Sequence, residues 1–183
     1  MEKKIFIVRH CRAQGQSPKA QLTEEGLDQA ILLSRFFLNT NIDRIISSPF
    51  LRAIQSVEPL SDERNIKIEI EERLAERTLS TRYLTDWIEK LEATFTDLEL
   101  KYEGGESSKE AMSRIVSVVD EVFKSTSENT ILVTHGNIMS LLLKNYDNNF
   151  GFDCWKRLSN PDVYVLSYSN NQVTMERKWS EEL

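Results

Sequence analysis

Three short runs rich in Ile and Val constrain this chain more than any other feature: residues 4–8 (KIFIV), 43–47 (DRIIS) and 130–134 (TILVT). Continuous apolar runs this short suit central parallel strands covered on both faces. Helical patterns lie between them. Thr23 is placed to N-cap a helix whose first turn holds Glu24 and Glu25, favourable against the helix dipole. Along it Leu27, Ile31, Ser34 and Leu38 fall on one stripe, flanked by Ala30 and Phe37. After the second run, Ser48 suits a cap and Pro49 a first helical position. Ala111, Ile115, Val118 and Val122 recur at helical spacing, residues 136–145 form another short helix, and residues 162–179 read as a hairpin. Strands alternating with helices predict an α/β fold with a largely parallel sheet.

Such sheets bind ligands outside the carboxyl ends of their strands. Arg9 and His10 follow the first run, Ser47, Ser48 and then Arg52 the second, and His135 and Gly136 the third. The chain has only two histidines, and each directly follows an apolar strand, which points to one shared site. Arg9 continues from a buried strand, where a charge needs a partner or a ligand. Arg52 falls in the first turn of a helix, where a cation opposes the dipole and a bound anion removes the conflict. Residues 77–104 break the α/β rhythm and carry Tyr83, Trp87, Phe95 and Tyr102 among many charges. They read as a mostly helical excursion over the active rim. Glu76 on its own reads as a surface charge, and residues 104–107 (GGES) as a loop leading to a helix cap at Ser107 or Ser108.

The balance of 23 basic and 29 acidic residues, a formal net charge of −6, argues against a general nucleic-acid surface. No apolar run approaches the roughly 20 residues that span a bilayer. Cys11 and Cys154 are too few for a disulfide framework, so a reduced, cytoplasmic protein is expected, with oligomeric state left open. Two histidines more than a hundred residues apart, with no ordered carboxylate pair nearby, make a poor ligand set, so no metal and no cofactor are expected.

Whether His10 or Cys11 is the reactive group is a real question. Cysteine-dependent phosphatases use a loop of His-Cys, five residues, then Arg. Here residues 12–16 are the five and the next residue is Ser17, so the arginine is missing from its place. Residues 5–10 (IFIVRH), 22–30 (LTEEGLDQA), 47–56 (SSPFLRAIQS), 73–76 (RLAE), 104–107 (GGES) and 131–136 (ILVTHG) instead occur in an order and spacing that resembles the histidine phosphatase superfamily. That group includes cofactor-dependent phosphoglycerate mutases and many small phosphatases. The resemblance covers about residues 4–140. It implies a three-layer α/β sandwich with a mixed, mostly parallel central sheet and a small helical cap insertion at about 77–104, the whole of 1–183 forming one domain.

The resemblance also implies roles. His10 is the nucleophile; Arg9, Arg52 and His135 surround the phosphoryl group; Glu76, two residues after Leu74, is the general acid and base. Gln16 stands near where an asparagine commonly helps hold phosphate. Two departures bear on substrate range and rate: Cys11 occupies a position that is usually glycine, and Arg12 replaces an acidic residue. The implied activity is metal-independent hydrolysis of a small phosphorylated metabolite through a phosphohistidine. Phosphoglycerate mutase-type transfer and a catalytically weak phospho-ligand binding domain are the alternatives. Hydrolysis is favoured over mutase chemistry because the cap is short and the segment after Glu76 lacks a glycine-rich, aromatic stretch.

Overall fold

The computed structural model describes residues 2–180. Strands β1 (Lys3–Arg9), β2 (Arg44–Ser47), β3 (Ile68–Ile70), β4 (Asn129–Thr134), β5 (Asp162–Ser169) and β6 (Gln172–Arg177) form one sheet in the order β3-β2-β4-β1-β5-β6. The first four in that order are parallel to one another, β5 runs antiparallel to β1, and β6 runs antiparallel to β5. β5 and β6 are the expected hairpin, turned by Asn170 and Asn171, both at positive φ.

The alternation of β1 sets the two core layers. Ile5 and Ile7 face helices α4 (Ser108–Lys124) and α5 (Gly136–Tyr146), joined by Ile46, Leu132 and Leu166. Phe6 and Val8 face helices α1 (Glu24–Phe36) and α2 (Leu51–Arg64), joined by Ile45, Ile131, Val133 and Val165. Each such fully buried aliphatic side chain is worth about 1.5–3 kcal/mol. The result is the mixed three-layer α/β architecture expected. No helix of the described residues is long and apolar enough to cross a membrane.

Local signals mostly act where expected. Thr23 Oγ1 accepts from Gly26 N at 3.0 Å. Ser107 and Glu110 form a reciprocal capping box on α4, whose Ala111, Ile115, Val118 and Val122 are buried.

Three details differ. The buried face of α1 is Gly26, Ala30, Leu33 and Ser34, with Phe37 just beyond, whereas Leu27, Ile31 and Leu38 are exposed. The reason is close approach: a Cβ on Gly26 would lie 2.0 Å from Arg12 O, so the small-residue face must turn inward. Ser48 does not start α2, which begins at Leu51; Ser48 Oγ accepts from Phe50 N and spends its other contact on the site. Among the described residues of 77–104, only α3 (Trp87–Thr96) is α-helical. There Leu91 and Phe95 pack on Ala111 and Leu141, beside the partly buried Phe152 and Trp155 of a short helix α6 (Phe152–Lys156).

Candidate active site

Strands β1, β2 and β4 end together on one rim, and a residue just past each of these ends, His10, Ser48 and His135, lies in the site. His10 N donates to Thr134 O, and Ser48 N donates to Val133 O, so the sheet ladder holds these segments in register beyond their strands. Asn160 Nδ2 donates to the His10 carbonyl at 2.8 Å from the loop before β5. The histidine is thereby fixed from both sides of its backbone.

The His10 and His135 ring centroids lie 5.1 Å apart. His10 Nδ1 sits 2.7 Å from the Cys11 carbonyl, an acceptor, so the ring proton is on Nδ1. Nε2 therefore carries the lone pair, and Arg52 Nε donates to it at 3.1 Å. Burial pushes the imidazole down to about 3, with Arg52 and Arg9 adding to the effect against the opposing pull of the Cys11 carbonyl. His10 is neutral at physiological pH. His135 is held well below its usual value, by burial first and then by His10 and Arg52. Its Nε2 meets Ser48 Oγ at 2.7 Å, and the Phe50 ring packs against it with centroids 4.8 Å apart.

Arg52 is 1% exposed. Its Nη1 donates to the carbonyls of Gln16 and Ser17, which aims Nε at His10. Arg9 Nη1 donates to Leu158 O at 2.9 Å, while its buried Nε has no protein partner. Burial lowers both guanidiniums from their ordinary value, and Glu76 pulls in the opposite direction. Both still carry charge, since arginine stays protonated in proteins. Gly136 is what lets Arg9 lie flat: a Cβ there would stand 3.0 Å from Arg9 Nε and 3.1 Å from its guanidinium carbon.

Glu76 is not a free surface charge. Its carboxylate accepts from Asn137 N and Ile138 N, each at 3.0 Å, and from Arg77 N at 2.7 Å. His135 is the N-cap of α5 and makes no side-chain cap bond, so Glu76 caps that helix from another segment. Behind it, Arg114 donates to the carbonyls of Arg73, Ala75 and Glu76 and pairs with Glu106 at 2.7 Å. The loop bearing the carboxylate is lashed to α4.

Gln16 and Glu76 together line three adjoining cavities around this cluster. Gln16 is exposed, and its backbone carbonyl accepts from Arg52 Nη1. Arg12 points outward to Glu25, 2.5 Å away, and borders the small cavity beside His10. Thus Arg9, His10, Arg52, Glu76 and His135 converge, Gln16 stands at the wall, and Arg12 at the edge. Phe50, Asn160 and the Arg114–Glu106 pair were not singled out from sequence, and Ser48 was read as a cap. The one signal for any of them was the glutamate inside the 104–107 motif.

A family model of the histidine phosphatase superfamily (branch 1) matches residues 5–180. The chain belongs to that superfamily. A relative from Hydrogenobacter thermophilus carrying the name "Putative phosphoserine phosphatase 2" is 27% identical over 157 residues, spanning 77% of each protein. Among solved structures, a mycobacterial glucosyl-3-phosphoglycerate phosphatase is similar over 96% of this chain and 97% of its own, with TM-score 0.76 and 20% identity. A phosphoglycerate mutase from Bacillus anthracis matches over 97% and 92%, with TM-score 0.73 and 18% identity. At such identities these likenesses establish the shared fold. Within the superfamily this chain's Cys11 has an ordinary packing role: the thiol is fully buried, its backbone N–H goes to Ser56 Oγ, and burial pushes the thiol up to about 12. The thiolate that cysteine chemistry requires is unavailable there.

Proposed function

We propose that this protein hydrolyses small phosphomonoesters through a phosphohistidine on His10. The observation that carries this reading is the His10 ring itself: Nδ1–H is tied to the Cys11 carbonyl, and the Nε2 lone pair lies beside the Arg52 guanidinium, 5.1 Å from the second imidazole by centroid. A neutral, oriented imidazole is what a nitrogen nucleophile needs.

In the first step the Nε2 lone pair forms a bond to phosphorus as the bond from phosphorus to the alcohol oxygen breaks. Arg52 exchanges its bond to Nε2 for one to a phosphoryl oxygen, and Arg9 offers its unpartnered Nε–H. His135 adds a third contact. Together they stabilise the charge spread over the phosphoryl oxygens. Glu76 gives its proton to the departing alkoxide. In the second step it takes a proton from water, water oxygen bonds to phosphorus, and the N–P bond breaks to return neutral His10 and inorganic phosphate.

Positive charge in this scheme comes from the guanidiniums. Among the described residues no group of three or more His, Cys, Asp and Glu side chains is placed to hold a metal ion. Hydrolysis is favoured over mutase transfer by the short excursion at 77–104. The test is release of inorganic phosphate from p-nitrophenyl phosphate in the presence of chelator, with loss of turnover in His10→Ala. Incubation with 3-phosphoglycerate separates the readings further: a hydrolase yields inorganic phosphate, a mutase yields the isomer. Tight phosphate binding without turnover identifies a binding domain.

A further inference from the structure

From Arg9 and Glu76 the site extends into a cavity of about 310 Å3. Because it shares those two residues with the phosphoryl end, it is the space left for the alcohol half of a substrate. Its far wall is Leu79, Leu91, Trp87 and Trp155. The two indoles meet edge-on, with centroids 6.3 Å apart and planes at 89°. Trp155 stacks on Phe152, which in turn packs against Phe95. The aromatic wall is braced from behind and stands ready-made, which lowers the ordering cost of binding.

The charges in that wall are already committed. Arg77 is 6% exposed and donates from Nη1 to Thr94 Oγ1 and Ser108 Oγ, and from Nε and Nη2 to Glu106 O. It ties α3 to α4 and has little left for a ligand. Arg9 faces the phosphoryl group, and Glu76 supplies a carboxyl group and no cation. A second carboxylate brought in with the substrate would lose water and meet no unspent cation. Besides the exposed Gln16 amide, one buried polar side chain of the wall has unspent capacity. Asn137 is 7% exposed, and both its Nδ2 and Oδ1 lack a partner. A buried polar atom left so costs about 1–3 kcal/mol, and a neutral group that both donates and accepts relieves it.

We propose, resting on the hydrolase reading, that the substrate is a phosphomonoester of an uncharged, largely apolar alcohol. An aromatic or branched hydrocarbon body packs on Trp87 and Trp155, and one hydroxyl or amide meets Asn137. Phosphoserine and phosphoglycerates are poor substrates.

The test compares benzyl phosphate with phosphoserine and 3-phosphoglycerate by phosphate release. Benzyl alcohol is an unactivated leaving group, so the comparison reads binding and not leaving-group quality. The expected kcat/KM for benzyl phosphate exceeds that for either carboxylated ester at least tenfold. Trp87→Ala, at the half-exposed first residue of α3, lowers the ratio of benzyl phosphate to phosphoserine at least fivefold, mainly through KM. Asn137→Leu removes any advantage of hydroxymethyl-substituted benzyl phosphates over the parent ester. Calorimetry with benzylphosphonate and the phosphonate analogue of phosphoserine reads the same preference without turnover. Equal or better use of phosphoserine or 3-phosphoglycerate overturns this inference and leaves the hydrolase reading standing. Tighter benzylphosphonate binding with no hydrolysis of any ester supports the subsite and overturns the hydrolase reading instead.

Discussion

Arg52 Nε donates to His10 Nε2 at 3.1 Å, so the guanidinium reports the protonation state of the imidazole it touches. A donor that never loses its proton can be met only by a lone pair. His10 is therefore the Nδ1–H tautomer, and protonating Nε2 would set two cations face to face.

This has a consequence for pH. In proton NMR, neither of the two histidines should titrate between pH 8 and pH 5, since His10 is held near 3 and His135 well below its ordinary value. The unfolded chain takes up these protons near pH 6.5 and the folded chain far lower, so stability is full above about pH 6.5 and is lost as the pH falls toward 3. Each histidine contributes a slope of up to about 1.4 kcal/mol per pH unit in that window. Urea unfolding at pH 7 and pH 5 checks this: the difference should shrink in His10→Gln. An unchanged difference, or a histidine resonance moving with a midpoint near 6.5, contradicts the burial that keeps these two imidazoles neutral.

Gly136→Ala tests how Arg9 is held. The new methyl would press on a guanidinium whose Nη1 is fixed by Leu158 O, so the guanidinium must shift by tenths of an ångström. Since a 1 Å misplacement can cost about 10²-fold, a loss of roughly tenfold in kcat/KM is expected, with the melting temperature nearly kept. Unchanged kcat/KM would remove Arg9 from the phosphoryl site.

Glu76 has two duties, and a suitable variant separates them. Alanine would strip the cap from α5 as well as the acid. Glu76→Gln keeps a carbonyl acceptor for that helix and should lower kcat/KM, which reads phosphorylation of His10 and not the later hydrolysis common to all esters, about 10²–10⁴-fold on benzyl phosphate. On p-nitrophenyl phosphate, whose leaving group needs no proton, the loss in kcat/KM should be far smaller. Equal losses in kcat/KM on both esters would remove Glu76 as the acid for the leaving group.

Cys11 should be chemically silent. In native protein a thiol reagent is expected to modify the half-buried Cys154 and spare Cys11, which is fully buried. Cys11→Ser should reduce stability by about 1–2 kcal/mol for a buried hydroxyl yet leave kcat within a few-fold. Abolished turnover in a folded Cys11→Ser protein would reopen the cysteine mechanism.

The strands were legible because Ile5 to Val8 and Ile131 to Val133 are apolar without interruption, as burial on both faces demands. Strand β3 was not, since Ile68, Glu69 and Ile70 lie at a half-exposed edge and look like any loop. On α1 the larger aliphatic residues suggested the wrong face. Hydrophobic spacing counts methyl groups and cannot register the 2.0 Å constraint that one backbone carbonyl places on Gly26. In the site, residues that follow strands in sequence were visible. Those that arrive through space were not: Asn160 on the His10 carbonyl, and Arg114 binding three carbonyls of the Glu76 loop, have partners 150 and about 40 residues away. Ser48 was visible and misassigned, because a serine before a helix suits a cap as well as it suits an imidazole.

The most direct measurement traps the intermediate. Protein in steady-state turnover is quenched in alkali, where an N–P bond survives, digested, and mapped by mass spectrometry. The account predicts one acid-labile phosphoryl group on His10, absent in His10→Ala. A phosphoryl group found on Cys11, or turnover that persists in His10→Ala, would contradict it.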